Sequence, residues 1–432
     1  MTTSRPRAPK AASWPSRLLA DLPPQGHIGF AEHRLHSGSL TLPRKGNERS
    51  RLIDEVERSG LLGRGGAGFP IGRKLRTVAA GKGKPVVVAN GAEGEPASHK
   101  DALLLARAPH LVLDGIQLAA AAVEASEAHL VVGRSTAAAA SVRNALMERH
   151  GDKAVDVQLH ELPHRYVASE ESALVHWLNG GDAKPTFTPP RPFEKGVRNR
   201  PTLVNNVETL AQLALVARHG AAWFREVGDP DEPGTLLVTV SGDVPSAGVL
   251  EVPTGAAIGD VIAAAGGNLA QSQAVLVGGY FGTWLPAAHA ATVPMTHYAL
   301  KAAGGALGAA IIVVLGRGRC GLAETSRVID YLAGENAGQC GPCFNGLPAL
   351  AGALQKLARG PWDERVGPHI DRWLAVVPGR GACRHPDGAM RFAASALGAF
   401  ADDVAHHRTH GPCAHVASAN LLPVPRPSAE WR

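Results

Sequence analysis

Pro85-Val86-Val87-Val88-Ala89-Asn90-Gly91-Ala92-Glu93-Gly94-Glu95-Pro96 is an apolar run that stops abruptly in a polar turn. Consecutive β-branched residues without polar alternation read as a strand buried on both faces, and such strands belong to parallel sheets covered by helices. The flanking segments agree. Residues 50–59 read as a short amphipathic helix ended by Gly60, 101–124 and 135–149 as helices, and Glu170–Leu178 as another. His129–Val132 and Val155–Leu159 read as strands. Strands alternating with helices imply a layered α/β domain. Ligands of open α/β sheets bind beyond the carboxyl ends of the strands, so the Asn90–Glu95 turn is a candidate site. Asn90 can read the edge of a polar heterocycle, and Glu93 or Glu95 can accept hydrogen bonds from a ribose or an amide. A solvated acidic turn is the plain alternative.

Further along, residues 180–202 carry Pro185, Pro189, Pro190, Pro192 and Pro201 and little periodicity, which reads as a long irregular loop. Residues 204–216 read as a helix starting near Asn205 or Asn206. From Gly234 the pattern changes to two strands joined by a turn (TLLVTVSGDV and GVLEVPTG), a helix at 257–265, and strands at Ala274–Gly278 and Ala309–Leu315. This is a β-grasp-like module. Beyond Cys320 the chain reads as helices near 321–334, 344–358, 364–376 and 387–405, a small bundle. Residues 1–25 read as a mobile extension, and 411–432 as a proline-bearing tail.

The 432 residues exceed one core. A formal charge of +6 suits nucleotide phosphates or an acidic partner protein. No basic stripe is interleaved with aromatics, which argues against nucleic acid. No apolar run has the length of a membrane span, and residues 1–16 lack the apolar stretch of a secretory signal, so the expected location is cytoplasmic. An odd count of five cysteines in such a chain argues for metal or redox chemistry over disulfides.

Other segments carry candidate chemistry. The loop Gly63-Arg64-Gly65-Gly66-Ala67-Gly68-Phe69 brings backbone N–H groups close to a ligand phosphate, with Arg64 and Lys74 adding charge; by itself it matches neither the dinucleotide fingerprint nor the P-loop. Tyr166 to Glu171 places Glu170 and Glu171 at a helix start, which the helix dipole alone explains, or against a cofactor. Asn205, Asn206 and Thr209 open a helix after the long loop. Cys340-Gly341-Pro342-Cys343, with Cys383 forty residues on, is a metal or cluster signal. His385 is a possible fourth ligand; Cys320 and Cys413 read more simply as inert thiols.

Five ordered segments, GLLGRGGAGFPIGRK, NGAEGEPASHKD, YVASEESAL, KPTFTPPRPFEKGVRNRPTLVNNVET and GQCGPC, resemble the NADH-binding 51 kDa flavoprotein subunits of respiratory complex I and the related modules of NAD-linked hydrogenases and formate dehydrogenases. The resemblance spans residues 50 to 400. It implies a Rossmann-like FMN domain (46–232, after an extension at 1–45), a β-grasp (SLBB) domain (233–318), a helical iron–sulfur bundle (319–410) and a tail (411–432). It places FMN against Gly63, Arg64, Gly65, Gly66, Lys74, Asn90, Glu93, Tyr166, Glu170, Glu171, Asn205, Asn206 and Thr209. NADH would stack near Phe69, Glu95 and Glu171, passing hydride from nicotinamide C4 to flavin N5. Cys340, Cys343 and Cys383 would hold a 4Fe-4S or 3Fe-4S cluster. The implied partner is a ferredoxin, another oxidoreductase subunit or a quinone, with peripheral attachment to the inner membrane face only through partners.

The chain departs from that pattern. Ala92 stands where the family has Asp, Ser169 where it has Gly, Leu75 where it has Trp, and Thr77 where it has an adenine-stacking Phe. Arg73, Lys74 and Arg76 suggest tolerance of a 2′-phosphate. Ala337 replaces the first cluster cysteine. The competing expectations are a cluster-free diaphorase or quinone reductase, and a non-catalytic scaffold subunit with a structural zinc.

Overall fold

The computed structural model describes residues 14–20, 22–23, 26–149, 153–426 and 428–432. Strands β1 (Val86–Gly91), β2 (Glu127–Gly133), β3 (Val157–Leu162) and β4 (Thr202–Asn206) form one sheet in the order β3-β2-β1-β4. Every pairing in it is parallel. The strand Pro85–Ala89 is therefore central, and both its faces are covered. Val87 and Ala89 join a core with residues of the helices Pro109–Val123 and Val207–Arg225, while Val86 and Val88 join Leu174, Val175 and Ala183. The chain leaves β1 towards β2 and β3, then returns to β4 on the other side. The switch point between β1 and β4 opens a crevice at their carboxyl ends, where Asn90 is in register with Asn206.

Several boundaries differ from the sequence reading. The helix expected over 101–124 is two, Lys100–Arg107 and Pro109–Val123, bent by 96°. Ala108 precedes Pro109, whose ring disfavours the helical conformation there. The helix expected from residue 204 starts at Val207; Thr202–Asn206 is a strand, and Asn206 caps the helix by accepting the Glu208 N–H at 3.0 Å. The helix expected over 387–405 is His385–Ala399 and Ala401–His410, parted at Phe400, which is buried against Trp284 at 5.3 Å.

A second sheet contains β5 (Thr235–Gly242), β6 (Gly248–Pro253), β7 (Ser272–Val277), β8 (Thr283–Pro286) and β9 (Ile311–Gly316), in the order β6-β5-β9-β7-β8. Only the β5–β9 pair is parallel. Its residues alternate between two cores: Val275, Val277, Ile312 and Val314 face the helix Ile258–Ala264, while Ala274, Leu276, Ile311, Val313 and Leu315 face the C-terminal helices. The period of two makes this sheet a layer between the helix Ile258–Ala264 and the C-terminal helices.

The expected mobile extension lies partly outside the described residues. Within them, Ser16 Oγ and the N–H groups of Arg17, Leu18 and Leu19 donate to the Glu251 carboxylate at 2.9–3.0 Å, and Leu18 is buried. The C-terminal tail is likewise a docked strap. Glu324 receives the N–H groups of Leu421 and Leu422, and Trp431 lies 3.8 Å from the Arg165 guanidinium. Among the described residues no single helix is long and apolar enough to cross a membrane.

Candidate functional site

The loop after Leu62 is pinched shut at its base. Gly63 N–H donates to Phe69 O at 2.9 Å, and Leu62 bridges Pro70. Inside it Gly66 and Gly68 have φ of 109° and 62°, values that favour glycine. A Cβ on Gly68 would also lie 2.4 Å from the His297 ring, and one on Gly66 would press on Gly308. These two glycines thus let the loop lie against the helix His297–Ala302 and the connection at Gly308, a packing role the sequence does not reveal. Arg64 is buried; its N–H donates to Thr209 Oγ1 at 2.8 Å and its Nη2 to Pro233 O at 3.2 Å. Among the described residues its Nε and Nη1 have no partner, and neither does buried Asn205 Nδ2. Lys74, on the helix Ile71–Ala79, donates to Val204 O at 2.5 Å and to Glu171 at 3.3 Å.

The turn after β1 is pinned residue by residue. Asn90 Nδ2 donates to Ser169 O at 2.8 Å, joining the first strand end to the Tyr166–Glu171 segment. Glu93 accepts from Ser98 and from the N–H groups of Asp101 and Ala102, so it caps the helix Lys100–Arg107. Glu95 accepts from Tyr166 Oη at 2.8 Å and Tyr280 N–H at 2.9 Å. Both carboxyls edge the cleft yet are drawn from bulk water, which pushes Glu95 up to about 7, and Glu93 likewise with a further push from Asp101. Beneath them Lys100, 2% exposed, sits 2.7 Å from Asp101 and 2.9 Å from Glu208. Burial opposes its charge, but those carboxylates hold its pKa above the usual lysine range. Asn206 Nδ2 donates to Asp101 at 2.6 Å. Lys100, Asp101 and Glu208 are absent from the candidates that the sequence supplies. Adjacent charges such as Lys100-Asp101 read as solvated, and only the fold brings Glu208 to them.

Glu170 caps the helix Glu171–Leu178 by accepting the N–H groups of Ser172 and Ala173. Phe69 is 48% exposed at the cleft rim, with Arg73 5.7 Å from its ring centre. Arg76 is bound by Asp54 and Glu57 at 2.6–2.8 Å, so it is committed away from any ligand. Leu75 is buried in the core, whereas Thr77 is exposed and bonded to Arg73 O.

On the far wall the cysteines gather unequally. Cys383 lines the cleft together with the glycine-rich loop; Cys340 and Cys343 do not. Burial, then the sulfurs of Cys340 and Cys383, push the Cys343 thiol far above its usual range, and burial pushes Cys383 to about 11. Buried thiols with such neighbours ionise only when a metal takes the place of their protons. Three thiols near enough to perturb one another are, by donor type, suited to a thiolate-bound group at three corners, although their sulfurs do not all lie within 4.8 Å of one another. Ala337, packed against the apolar core of the helices, offers no fourth. His385 Nε2 lies 2.8 Å from Leu332 O, and its buried Nδ1 has no partner among the described residues.

The structure brings together, around one cleft of about 750 Å³, every residue expected to touch flavin or nicotinamide, plus Cys383. Arg64 and Asn205 both line it, and each carries buried donors with no partner among the described residues, a polar lining that suits a phosphate-bearing ligand with polar edges. A cleft at the switch point of a parallel sheet, entered by a glycine-rich loop, marks a mononucleotide-binding α/β protein. Similarity to known proteins narrows the class further. The Nuo51 FMN-binding domain family matches residues 56–215, and the NADH-ubiquinone oxidoreductase-F iron-sulfur binding region matches 323–407. An NADH-quinone oxidoreductase F subunit of Rhizobium meliloti, numbered 2 in that organism, is 31% identical over 402 residues, 89% of this chain and 95% of that one. The NADH-quinone oxidoreductase F subunit of Escherichia coli is 30% identical, covering 82% and 83%. A chain of an NAD+-reducing [NiFe]-hydrogenase superposes with a TM-score of 0.72 at 30% identity, covering 82% of this chain and 62% of that one. The chain belongs to the family of NADH-quinone oxidoreductase F subunits.

Proposed function

We propose that the chain is an NAD(P)H-oxidising flavoprotein that passes electrons from FMN, through an iron–sulfur cluster on Cys340, Cys343 and Cys383, to another oxidoreductase subunit, a ferredoxin or a quinone. The observation that carries the reading is Cys383, which lines the same cleft as the glycine-rich loop. FMN, when bound, supplies hydride acceptance and the division of the pair into single electrons. The rest is the protein's part. The loop from Gly63 to Gly66 holds the phosphate, with the N–H groups of Gly65 and Gly66 turned to it and Arg64 and Lys74 adding charge, while the N–H groups of Gly63 and Arg64 fix the loop's own shape on Phe69 and Thr209. Asn90, Glu93, Tyr166, Glu170, Asn205, Asn206 and Thr209 orient the flavin's polar edges. Phe69 at the rim stacks the dinucleotide, and Glu95 and Glu171 set its position over the flavin. The pinned turn keeps these groups in place before any ligand arrives.

The arrangement supports naming 46–232 an FMN/NAD(P)H domain and 319–410 a cluster bundle. In 233–318, the parallel β5–β9 pair flanked by antiparallel neighbours, with one helix across the sheet, supports a β-grasp (SLBB) domain. The pairing of Arg76 with Asp54 and Glu57 favours NADH over NADPH. Ala337 supports a second reading, a flavin diaphorase without a working cluster.

Absorbance spectra of anaerobically purified protein, before and after NADH, test the proposal together with iron and sulfide analysis. The expected result is a flavin band that bleaches with NADH and iron in excess of one per chain. Bound flavin that neither NADH nor, in a parallel sample, NADPH reduces would overturn the reading. A bleached flavin with no iron would leave the diaphorase.

A further inference from the structure

Cys320, His407 and Cys413 are distant in sequence, yet their ligand atoms all lie within 4.8 Å of one another. They stand apart from the Cys340–Cys343–Cys383 group and play no part in the relay proposed above. Cys320 and His407 are each 2% exposed, and neither Cys320 nor Cys413 is in a disulfide. His407 Nδ1 lies 3.1 Å from Leu357 O, so Nδ1–H donates to that carbonyl and the lone pair falls on Nε2. Nε2 points at the sulfurs: it is 3.8 Å from Cys320 Sγ and accepts the Cys413 N–H at 3.2 Å. An imidazole held by a carbonyl through one nitrogen, with the other within reach of two sulfurs, is a posture that metal-ligating histidines share, and a metal at Nε2 displaces the Cys413 N–H from that lone pair. Cys320 Sγ also accepts the Ala323 N–H at the start of the fourteen-residue helix Gly321–Gly334, which fixes the direction of the sulfur.

We propose that these residues bind a thiophilic divalent cation of the zinc class, with two thiolates and one imidazole as protein ligands and water in the fourth position beside partly exposed Cys413. Binding releases the two thiol protons and involves no redox change. The ion acts as a clip. Cys413 begins the C-terminal strap, which runs past Glu324, bonds Tyr280 Oη through Pro423 O, and ends with Trp431 against Arg165. Arg165 pairs with Glu335 at 3.0 Å, and the same carboxylate accepts the Tyr166 N–H at 2.7 Å. Pinning residue 413 therefore fixes a strap whose far end braces a wall of the nucleotide cleft.

The test uses the full chain, purified anaerobically with reduced thiols. Zinc and iron are counted separately, and protein depleted of zinc is titrated with Co²⁺. About one zinc per chain is expected, with thiolate-to-cobalt charge-transfer bands typical of a tetrahedral site. His407→Gln and Cys413→Ser should weaken Co²⁺ binding at least about 100-fold while flavin and iron contents stay at wild-type values. Limited proteolysis should cut between residues 414 and 426 faster in these variants and in the metal-depleted wild type. Wild-type protein that neither retains zinc nor binds Co²⁺ overturns the proposal, and that measurement does not depend on how the variants fold. So does equal binding by His407→Gln, or an intact mass showing Cys320 and Cys413 joined as a disulfide.

Discussion

The nucleotide cleft and the cysteine-bearing helices meet at Cys383, but they are held by different means. Around the cleft, polar side chains are already engaged by other protein groups: Asn90 by Ser169, Glu95 by Tyr166 and Tyr280, Lys100 by Asp101 and Glu208. The cysteine corner has apolar packing behind it, from Leu347, Leu350 and Leu354, and thiols that crowd one another. Cys340 follows Gly338, which has a φ of 68°, on a short connection outside the helices. The first region is organised before it binds anything; the second is completed by what it binds. Damage to one should therefore leave the other standing.

The strongest break in that comparison is Cys343→Ser. Removing the buried central thiol should reduce iron and sulfide to background, while flavin content and NADH-driven dye reduction stay within about two-fold of wild type. Loss of flavin along with the iron would show that the two regions fail together. Ala337→Cys is the converse and should raise iron per chain by completing the fourth corner.

Next in size is Lys100→Met. It leaves Asp101 and Glu208 buried without their cation, which should cost about 3–5 kcal/mol in denaturant unfolding and release flavin. A cost under about 1 kcal/mol would mean that the turn after β1 does not depend on the charge beneath it.

Glu95 gives a smaller, pH-dependent effect. Its folded pKa of about 7 lies above the ordinary 4.5, so the folded protein binds this proton more tightly than the unfolded chain. Its contribution to stability is fully present below about 4.5, falls as pH rises through 7, and is constant above. Glu95→Gln should flatten that slope. At pH 8 the variant should be more stable by about 1–2 kcal/mol, less than the full linkage because glutamine accepts fewer of the bonds from Tyr166 and Tyr280. An unchanged slope between pH 5 and 8 would move the titration elsewhere.

Legibility in the sequence depends on whether the physics is local. The central strand can be read because both faces are apolar, and the Asn90–Glu95 turn because a polar cluster ends it. The strand Thr202–Asn206 is hidden because it abuts the next helix with no glycine or proline between them. β8 is four residues long and carries no period of its own. The break at Ala108 is marked by Pro109, yet the apolar residues on both sides of it read as one continuous helix. The Lys100 network and the Cys320–His407–Cys413 group depend on residues about ninety or more positions apart, which no motif connects.

The smallest effect tests the cleft at its exposed edge, where nothing pins it. Phe69 is half exposed, and Arg73 above its ring is its one cationic neighbour among the described residues. A ring so placed contributes to a stacked dinucleotide without supporting the fold. Phe69→Ala should therefore raise KM for NADH about five- to ten-fold, near 1 kcal/mol, with flavin content, iron content and kcat close to wild type. A fall in kcat at unchanged KM would instead place Phe69 in the alignment of hydride transfer. Loss of flavin would make it part of the pinned wall and erase the distinction between the cleft's rigid floor and its open rim.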